Sequence, residues 1–327
     1  MIDAPLLSIN DLSVSYAIGN ERARAVDGLS LTLGAGQRLG IVGESGSGKS
    51  TLALALMRLH KPPAMIDSGQ ILLGGTDILR LDQGALRKFR WSEVALIPQG
   101  AMNALNPVIK VREQMADTIR AHRRDMSARD INKRIDELLV RVGLSTSVAG
   151  LYPHELSGGM KQRVCIALAI VLEPKLIIAD EPTSALDVVV QRVVIETLKD
   201  VQAQIGAAMI MIGHDMGLMA QSVDHLAVMY AGRLVDQAPI REFFRRPLHP
   251  YSQLLISSLP SPDETRPLAG IPGMQPSLLD LPAGCAFHPR CPLVQPICRE
   301  VMPPLETVEP HRRVACHVVA EAYNVRA

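Results

Sequence analysis

Over residues 1–250 short apolar runs alternate with stretches whose apolar positions fall at helical spacing, and this predicts an α/β domain. Leu39-Gly40-Ile41-Val42 reads as a short buried strand, and Leu52 to Leu59 as a helix that follows a glycine-rich turn. Asp130 to Val142 sets Ile131, Ile135, Leu138, Leu139 and Val142 on one helical face. Leu176-Ile177-Ile178-Ala179 and Met209 to Ile212 read as two further buried strands. The intervening section, about 100–172, reads as a mostly helical subdomain. Beyond Arg246 the pattern breaks: 14 of the 23 prolines fall between Pro247 and Pro310, which disfavours long helices and central strands there. Residues 251–327 are therefore expected to form a small, irregular C-terminal appendage containing four cysteines.

Composition narrows the function classes. A chain of 327 residues has room for roughly two domains, and 47% hydrophobic with 20% charged residues excludes general disorder. The formal net charge of +1 lacks the basic excess of a protein held to nucleic acid by phosphate contacts, so no nucleic-acid partner is expected. The longest apolar stretch, Val164 to Ala179, is interrupted by Glu173, Pro174 and Lys175, which argues against a membrane-spanning helix. Met1-Ile2-Asp3-Ala4-Pro5 has no signal-peptide character, so a cytoplasmic chain is expected.

Gly43-Glu44-Ser45-Gly46-Ser47-Gly48-Lys49-Ser50 fits a phosphate loop, placed as its mechanism requires between a strand and a helix. Its glycines let backbone N–H groups approach phosphate closely, the helix start adds partial positive charge, and Lys49 bridges phosphate oxygens. Gly43, Ser45, Gly46, Gly48, Lys49, Ser50 and Thr51 are thus candidate nucleotide contacts, with Ser50 also a magnesium ligand.

Asp180 and Glu181 close the apolar run that starts at Leu176, at the strand end where ligands collect in open α/β sheets. Asp180 is the candidate to hold magnesium and Glu181 the candidate to orient or deprotonate an attacking water. His214, after the run Met209 to Gly213, is a candidate contact for a γ-phosphate. Gln99, after Ala95-Leu96-Ile97-Pro98, is a candidate to reach magnesium.

Leu156-Ser157-Gly158-Gly159-Met160-Lys161-Gln162-Arg163 opens a helix and resembles the signature of ATP-binding cassette (ABC) proteins. The rest of the chain is similar to that family in motif order: phosphate loop, Gln99, signature, Asp180-Glu181, Ser184-Ala185-Leu186-Asp187, then His214. The resemblance implies an ABC-type P-loop nucleotide-binding fold with a helical signature subdomain. It also implies that Ser157, Gly158 and Gly159 close over the γ-phosphate held by an opposing cassette. Tyr16 stands where the family often stacks an aromatic ring on adenine.

Narrower features resemble one branch, the ATPases of oligopeptide/dipeptide (and nickel) importers: Tyr152-Pro153-His154-Glu155, Met229-Tyr230-Ala231-Gly232, His249-Pro250-Tyr251, and Gly284 to Pro292 with its two cysteines. One departure is Gly100, where this branch usually carries an acidic residue after the glutamine. The resemblance implies an ATP- and Mg2+-dependent ATPase at the cytoplasmic face of the inner membrane, powering uptake of di- and oligopeptides. Its implied partners are a second, related but distinct ATPase subunit, two transmembrane permeases and an extracytoplasmic solute-binding protein. Nickel, a metallophore or an oligosaccharide are alternative cargoes. The alternative from another class is a soluble ABC ATPase of translation or DNA repair, against which the single cassette and balanced charge argue.

Cys285-x5-Cys291-x6-Cys298-x17-Cys316 supplies four thiols for a tetrahedral zinc or a 4Fe–4S cluster. The spacing lacks the paired C-x2-C knuckles of structural zinc, and similar appendages in dipeptide-importer ATPases are associated with 4Fe–4S. The expectation is therefore an iron–sulfur cluster, with zinc as the alternative.

Overall fold

The computed structural model describes residues 4–100, 104–259 and 270–323. Parts of the expected helical subdomain (101–103) and of the expected appendage (260–269, 324–327) lie outside them. Before the phosphate loop come β1 (Leu7–Ile18), β2 (Glu21–Leu33) and β3 (Arg38–Val42), and the loop leads into α1 (Lys49–Leu56). Next are β4 (Ala64–Leu73), β5 (Thr76–Asp77), α2 (Gln83–Phe89) and β6 (Val94–Ile97). The helical section holds α3 (Val111–His122), α4 (Ala128–Arg141) and α5 (Gly158–Ala169). Then follow β7 (Leu176–Asp180), α6 (Val188–Ile205), β8 (Ala208–Ile212), α7 (Met216–Ser222), β9 (His225–Tyr230) and β10 (Arg233–Pro239). The described chain ends with α8 (Ile240–Arg245), α9 (Pro250–Ser257), β11 (Glu306–Glu309), β12 (Arg312–Val314) and α10 (His317–Ala322).

The chain divides into two compact units. One is built mainly from Leu72–Ile212 together with Leu33–Arg38. Here β6, β7 and β8 run parallel, with Val94 beside Leu176 and Leu176 beside Ala208. Every residue of these three strands is buried, which is why they read as unbroken apolar runs rather than alternating ones. The helix expected over Asp130 to Val142 is α4, in the same unit. Helix α4 buries Ile131, Ile135, Leu138 and Leu139 along one face, and Ser127 caps it by accepting the Asp130 N–H. Ion pairs from Arg134 and Arg141 to Glu173 tie that helix to the turn that precedes β7.

The other unit comprises Ser8–Thr32, Leu39–Ile71 and the described residues after Ile212. Within it β3 runs parallel to β9, Leu39 beside His225, and β9 turns back antiparallel onto β10. Strands β1, β2 and β4 form a separate sheet with β1 at its centre. That sheet was not foreseen in the periodicity. Strand β1 is buried at Leu7 and Ile9, exposed at Asn10 and Asp11, and buried on both faces from Leu12 to Ser15.

Residues past 250 are less irregular than expected. Strand β12 pairs with β10, Asp236 beside Val314, and β11 pairs with β12, so the end of the chain extends the β3–β9–β10 sheet. The helices here are short, α9 and α10 spanning eight and six residues. Leu248, Val314 and Cys316 form a small apolar cluster with Val308, Val318 and Val319 against it.

Candidate functional site

The phosphate loop leaves β3 and winds around its own lysine. Lys49 is buried, and its Nζ donates to the carbonyl oxygens of Gly43 and Glu44, each at 2.8 Å, and to Ser47 Oγ at 3.2 Å. The Gly48 position demands glycine: its φ is +98°, and a Cβ there would stand 1.9 Å from the Ala25 carbonyl oxygen. A Cβ at Gly43 would stand 2.2 Å from the Met229 carbonyl oxygen. These are the close backbone approaches that a cradle for phosphate requires, and α1 begins on Gly48 with no side-chain cap and no acidic residue in its first turn. Gly232 N–H reaches the Ser47 carbonyl at 3.1 Å and fixes the loop from the β9–β10 turn. Tyr16 is half-buried and its hydroxyl lies 3.1 Å from Thr51 Oγ1, beside the same helix start. Ser50 is half-buried, while Ser45 and Gly46 are exposed.

In the first unit, neighbouring strands bring two of the predicted residues together. Gln99 follows β6 and Glu181 follows β7, and Gln99 Nε2 donates to Glu181 Oε2 at 2.8 Å. Glu181 occupies left-handed backbone, φ 46°, with its N–H held by the Ile212 carbonyl of β8 at 2.8 Å. A non-glycine residue in that conformation is strained, and such strain clusters at functional sites. Asp180, the last residue of β7, is 5% exposed. His214 lies two residues beyond β8 and is exposed. Gly100, at φ +66°, takes the conformation that glycine adopts without strain.

The signature turn is a second helix start of a different kind. Ser157 caps α5 by accepting the Met160 N–H on Oγ at 3.3 Å. Gly159 is buried, and a Cβ on it would come within 2.5 Å of Val190 Cγ1, so this glycine exists to let α5 approach α6. Ser157 is exposed and Gly158 half-exposed. On α6, just past Asp187, Val188 and Val189 are 81% and 74% exposed.

The metal expected at the four cysteines is not supported. Cys285, Cys291, Cys298 and Cys316 line one small cavity with His249, Phe287 and His288. Yet among the described residues no three His, Cys, Asp or Glu side chains are grouped so as to hold a metal ion, and this overturns both the iron–sulfur and the zinc expectation. All four are free thiols. Burial pushes the Cys285 thiol up to about 11 and raises Cys291 and Cys316 as well. Cys298 and Cys316 are buried as small apolar residues are, like Cys165, whose thiol burial in α5 pushes up to about 12, while Cys285 and Cys291 are half-buried.

Sequence reasoning missed the neighbours of Glu44. Its carboxylate is gripped by Arg290, Nη1 to Oε2 at 2.6 Å and Nη2 to Oε1 at 2.9 Å, and its N–H donates to Tyr251 Oη at 2.9 Å. Arg290 and Tyr251 stand within segments that carried the resemblance to one branch, but their partner 246 and 207 positions away has no local signal.

Comparison with known proteins decides the family. Residues 26–184 match the ABC transporter family, and residues 235–298 match the oligopeptide/dipeptide transporter C-terminal region. A dipeptide transport ATP-binding protein, DppD, of Caldanaerobacter subterraneus subsp. tengcongensis is 40% identical over 97% of this chain and 98% of its own length. The chain belongs to the ABC transporter family, in the oligopeptide/dipeptide branch. The oligopeptide transport ATP-binding protein OppD of Salmonella typhimurium is 42% identical over 95% of this chain and 93% of the relative. Among solved structures, the dimeric ATP-binding cassette MJ0796 bound to ADP and Pi in a post-hydrolysis state is 28% identical, with a TM-score of 0.65 over 72% of this chain and 99% of that one. This chain is accordingly an ABC-type ATPase with an α/β P-loop fold. Among its described residues no helix is long and apolar enough to cross a membrane.

Proposed function

We propose that this ATPase is the energising subunit of a membrane importer for di- and oligopeptides, working from the cytoplasmic face against two permease subunits. The observation that carries the nucleotide half of the reading is the loop that buries Lys49 among its own carbonyls and tolerates no Cβ at Gly43 or Gly48. Those residues fit a nucleotide: the glycine N–H groups and Lys49 take the phosphates, and Ser50, Asp180 and Gln99 are the residues to hold Mg2+. When bound, Mg2+ neutralises charge that builds on the transferred phosphoryl oxygens. Thr51 and Ser45 add hydroxyls around the phosphates, and Tyr16 stacks on the adenine. Glu181 orients and deprotonates the attacking water, and its hydrogen bond to Gln99 supports that role by holding the carboxylate in one direction. His214 senses the γ-phosphate.

Ser157, Gly158 and Gly159 serve the nucleotide of a second cassette, a related but distinct ATPase subunit. Two features support this: the exposed, self-capped signature turn, and the apolar Val188 and Val189, which face outward beside Asp187. The naming of relatives for dipeptide and oligopeptide transport supports the peptide cargo. Residues 1–250 carry the ATP chemistry and 251–327 form the branch-specific addition.

The test is to purify the Glu181→Gln chain from its own membranes with ATP and identify what accompanies it by mass spectrometry. Two multi-spanning permeases, a second ATPase and a solute-binding protein that binds peptides are the expected companions. A binding protein loaded with nickel or an oligosaccharide would overturn the cargo, and recovery of ribosomes or repair proteins without permeases would overturn the transport reading.

A further inference from the structure

The phosphate loop does not stand alone in its unit: a strut from the C-terminal segment reaches it. Arg290 is 4% exposed at its side chain and presents both ends of its guanidinium fork to Glu44, the second residue of the loop. Its remaining N–H groups are spent on holding the arginine still. Nε donates to the Pro272 carbonyl at 2.8 Å, and Nη1 also reaches Tyr230 Oη at 3.3 Å. The guanidinium lies 5.9 Å from the ring centres of both Tyr230 and Phe287. Tyr251, whose hydroxyl accepts the Glu44 N–H, packs on the same rings, 4.7 Å from Tyr230 and 5.3 Å from Phe287. Glu44 in turn offers its carbonyl to Lys49 Nζ at 2.8 Å and to Ser47 N–H at 3.2 Å. A chain of direct contacts thus runs from Arg290 through Glu44 to the lysine.

Electrostatics explains why the strut is needed. A carboxylate in the loop that receives a polyphosphate would repel it, and the more so in a partly buried setting than in open water. Arg290 is a rigid, permanently charged fork, suited to cancelling one carboxylate and fixing its direction at once.

We propose that Arg290 is a positioning residue for nucleotide binding, which neutralises Glu44 and, with Tyr251, sets the phosphate loop in the shape that takes up ATP. The C-terminal segment thereby sets the affinity of the site. This rests on the reading of residues 43–50 as the nucleotide site, and the two are tested separately. Affinity for Mg-nucleotide and steady-state ATP hydrolysis are measured on the full chain for Lys49→Ala, Arg290→Ala, Arg290→Lys, Glu44→Gln and the double variant Arg290→Ala/Glu44→Gln. Lys49→Ala tests the site itself. If it binds nucleotide as the parent does, the nucleotide reading fails.

For the strut, Arg290→Ala is expected to raise Kd and KM about tenfold with kcat within about twofold, and Arg290→Lys to fall between it and the parent. Adding Glu44→Gln to Arg290→Ala is expected to recover most of the lost affinity, because it removes the uncompensated charge. A merely structural arginine gives no such rescue, since the second substitution would only remove another contact. If Arg290→Ala folds poorly, Arg290→Lys decides: the proposal requires weaker binding in that variant and recovery toward the parent when Glu44→Gln is added to it. Lys49→Ala defective with Arg290→Ala and Arg290→Lys unchanged, or a double variant no better than Arg290→Ala, overturns the proposal.

Discussion

The chain starts two helices on glycine-rich turns, and their difference shows what makes such a start an anion site complete in itself. At the phosphate loop α1 has no side-chain cap, its preceding glycine is forced into left-handed backbone, and a buried lysine fills the turn. At the signature turn α5 is capped by its own Ser157, exposed, and its glycine is used for helix packing against Val190. The first turn surrounds a charge from within one chain. The second is exposed at Ser157 and supplies no cation of its own from within its glycine turn, so it has the form of half a site. This is why similar composition, two or three glycines beside a serine at a helix start, serves two roles.

The largest effects are expected where that contrast is sharpest. Lys49→Ala should lower ATP hydrolysis by about 100-fold or more and abolish nucleotide binding by the isolated chain. Ser157→Arg should lose hydrolysis to a similar degree while the isolated chain still binds nucleotide. Equilibrium binding with a fluorescent nucleotide separates the two, and loss of binding in both variants would erase the distinction. Next comes the acid pair: Glu181→Gln should bind ATP normally but turn over roughly 100-fold or more slowly. Near-normal turnover would remove the assigned role of Glu181.

A smaller effect sharpens the packing half of the comparison. Gly159→Ala should cost about 1–3 kcal/mol in urea unfolding, because the new methyl must push Val190 away. An unchanged midpoint would mean α5 and α6 yield freely at that point.

The effect smallest near neutral pH concerns a third helix start. α9 is capped by His249, whose Nδ1 accepts the Tyr251 N–H at 3.0 Å. Burial lowers this histidine from its ordinary value near 6.5 to about 3, so the ring stays neutral in the folded chain. Above about 6.5 neither state is protonated and the cap contributes in full. As pH falls through the window from 6.5 to 3 the unfolded chain binds the proton first, and stability declines. Asp236, which accepts the His249 N–H, is raised by its own burial and contributes with the opposite sign, so the comparison must be with the parent chain. His249→Asn keeps an acceptor at the cap and should flatten the stability profile over that window, read by thermal melts at several pH values. An equally steep profile would place the acid sensitivity elsewhere.

Much of the candidate nucleotide site was legible because its chemistry is local. The loop needs its glycines and lysine within eight positions, and the acids need only an apolar strand before them, so both were placed from residues alone. Gln99 was assigned to magnesium and lies on Glu181, a contact that follows from β6 and β7 being neighbours, which no local pattern reveals. The cysteine spacing misled, because counting thiols says nothing of how they are grouped.

The sequence by itself determined the phosphate loop, the acidic strand end, the helix start at the signature and the alternation of buried strands with amphipathic helices. Each depends on residues within a turn or two of one another, where backbone sterics and burial period leave one answer. Only the tertiary structure decided that the last strands join the β9–β10 edge, that Gly159 serves α6, and that Arg290 and Tyr251 grip Glu44 across more than 200 positions. Those pairings are set by which surfaces meet when the core closes. Their two partners carry no record of each other in the chain.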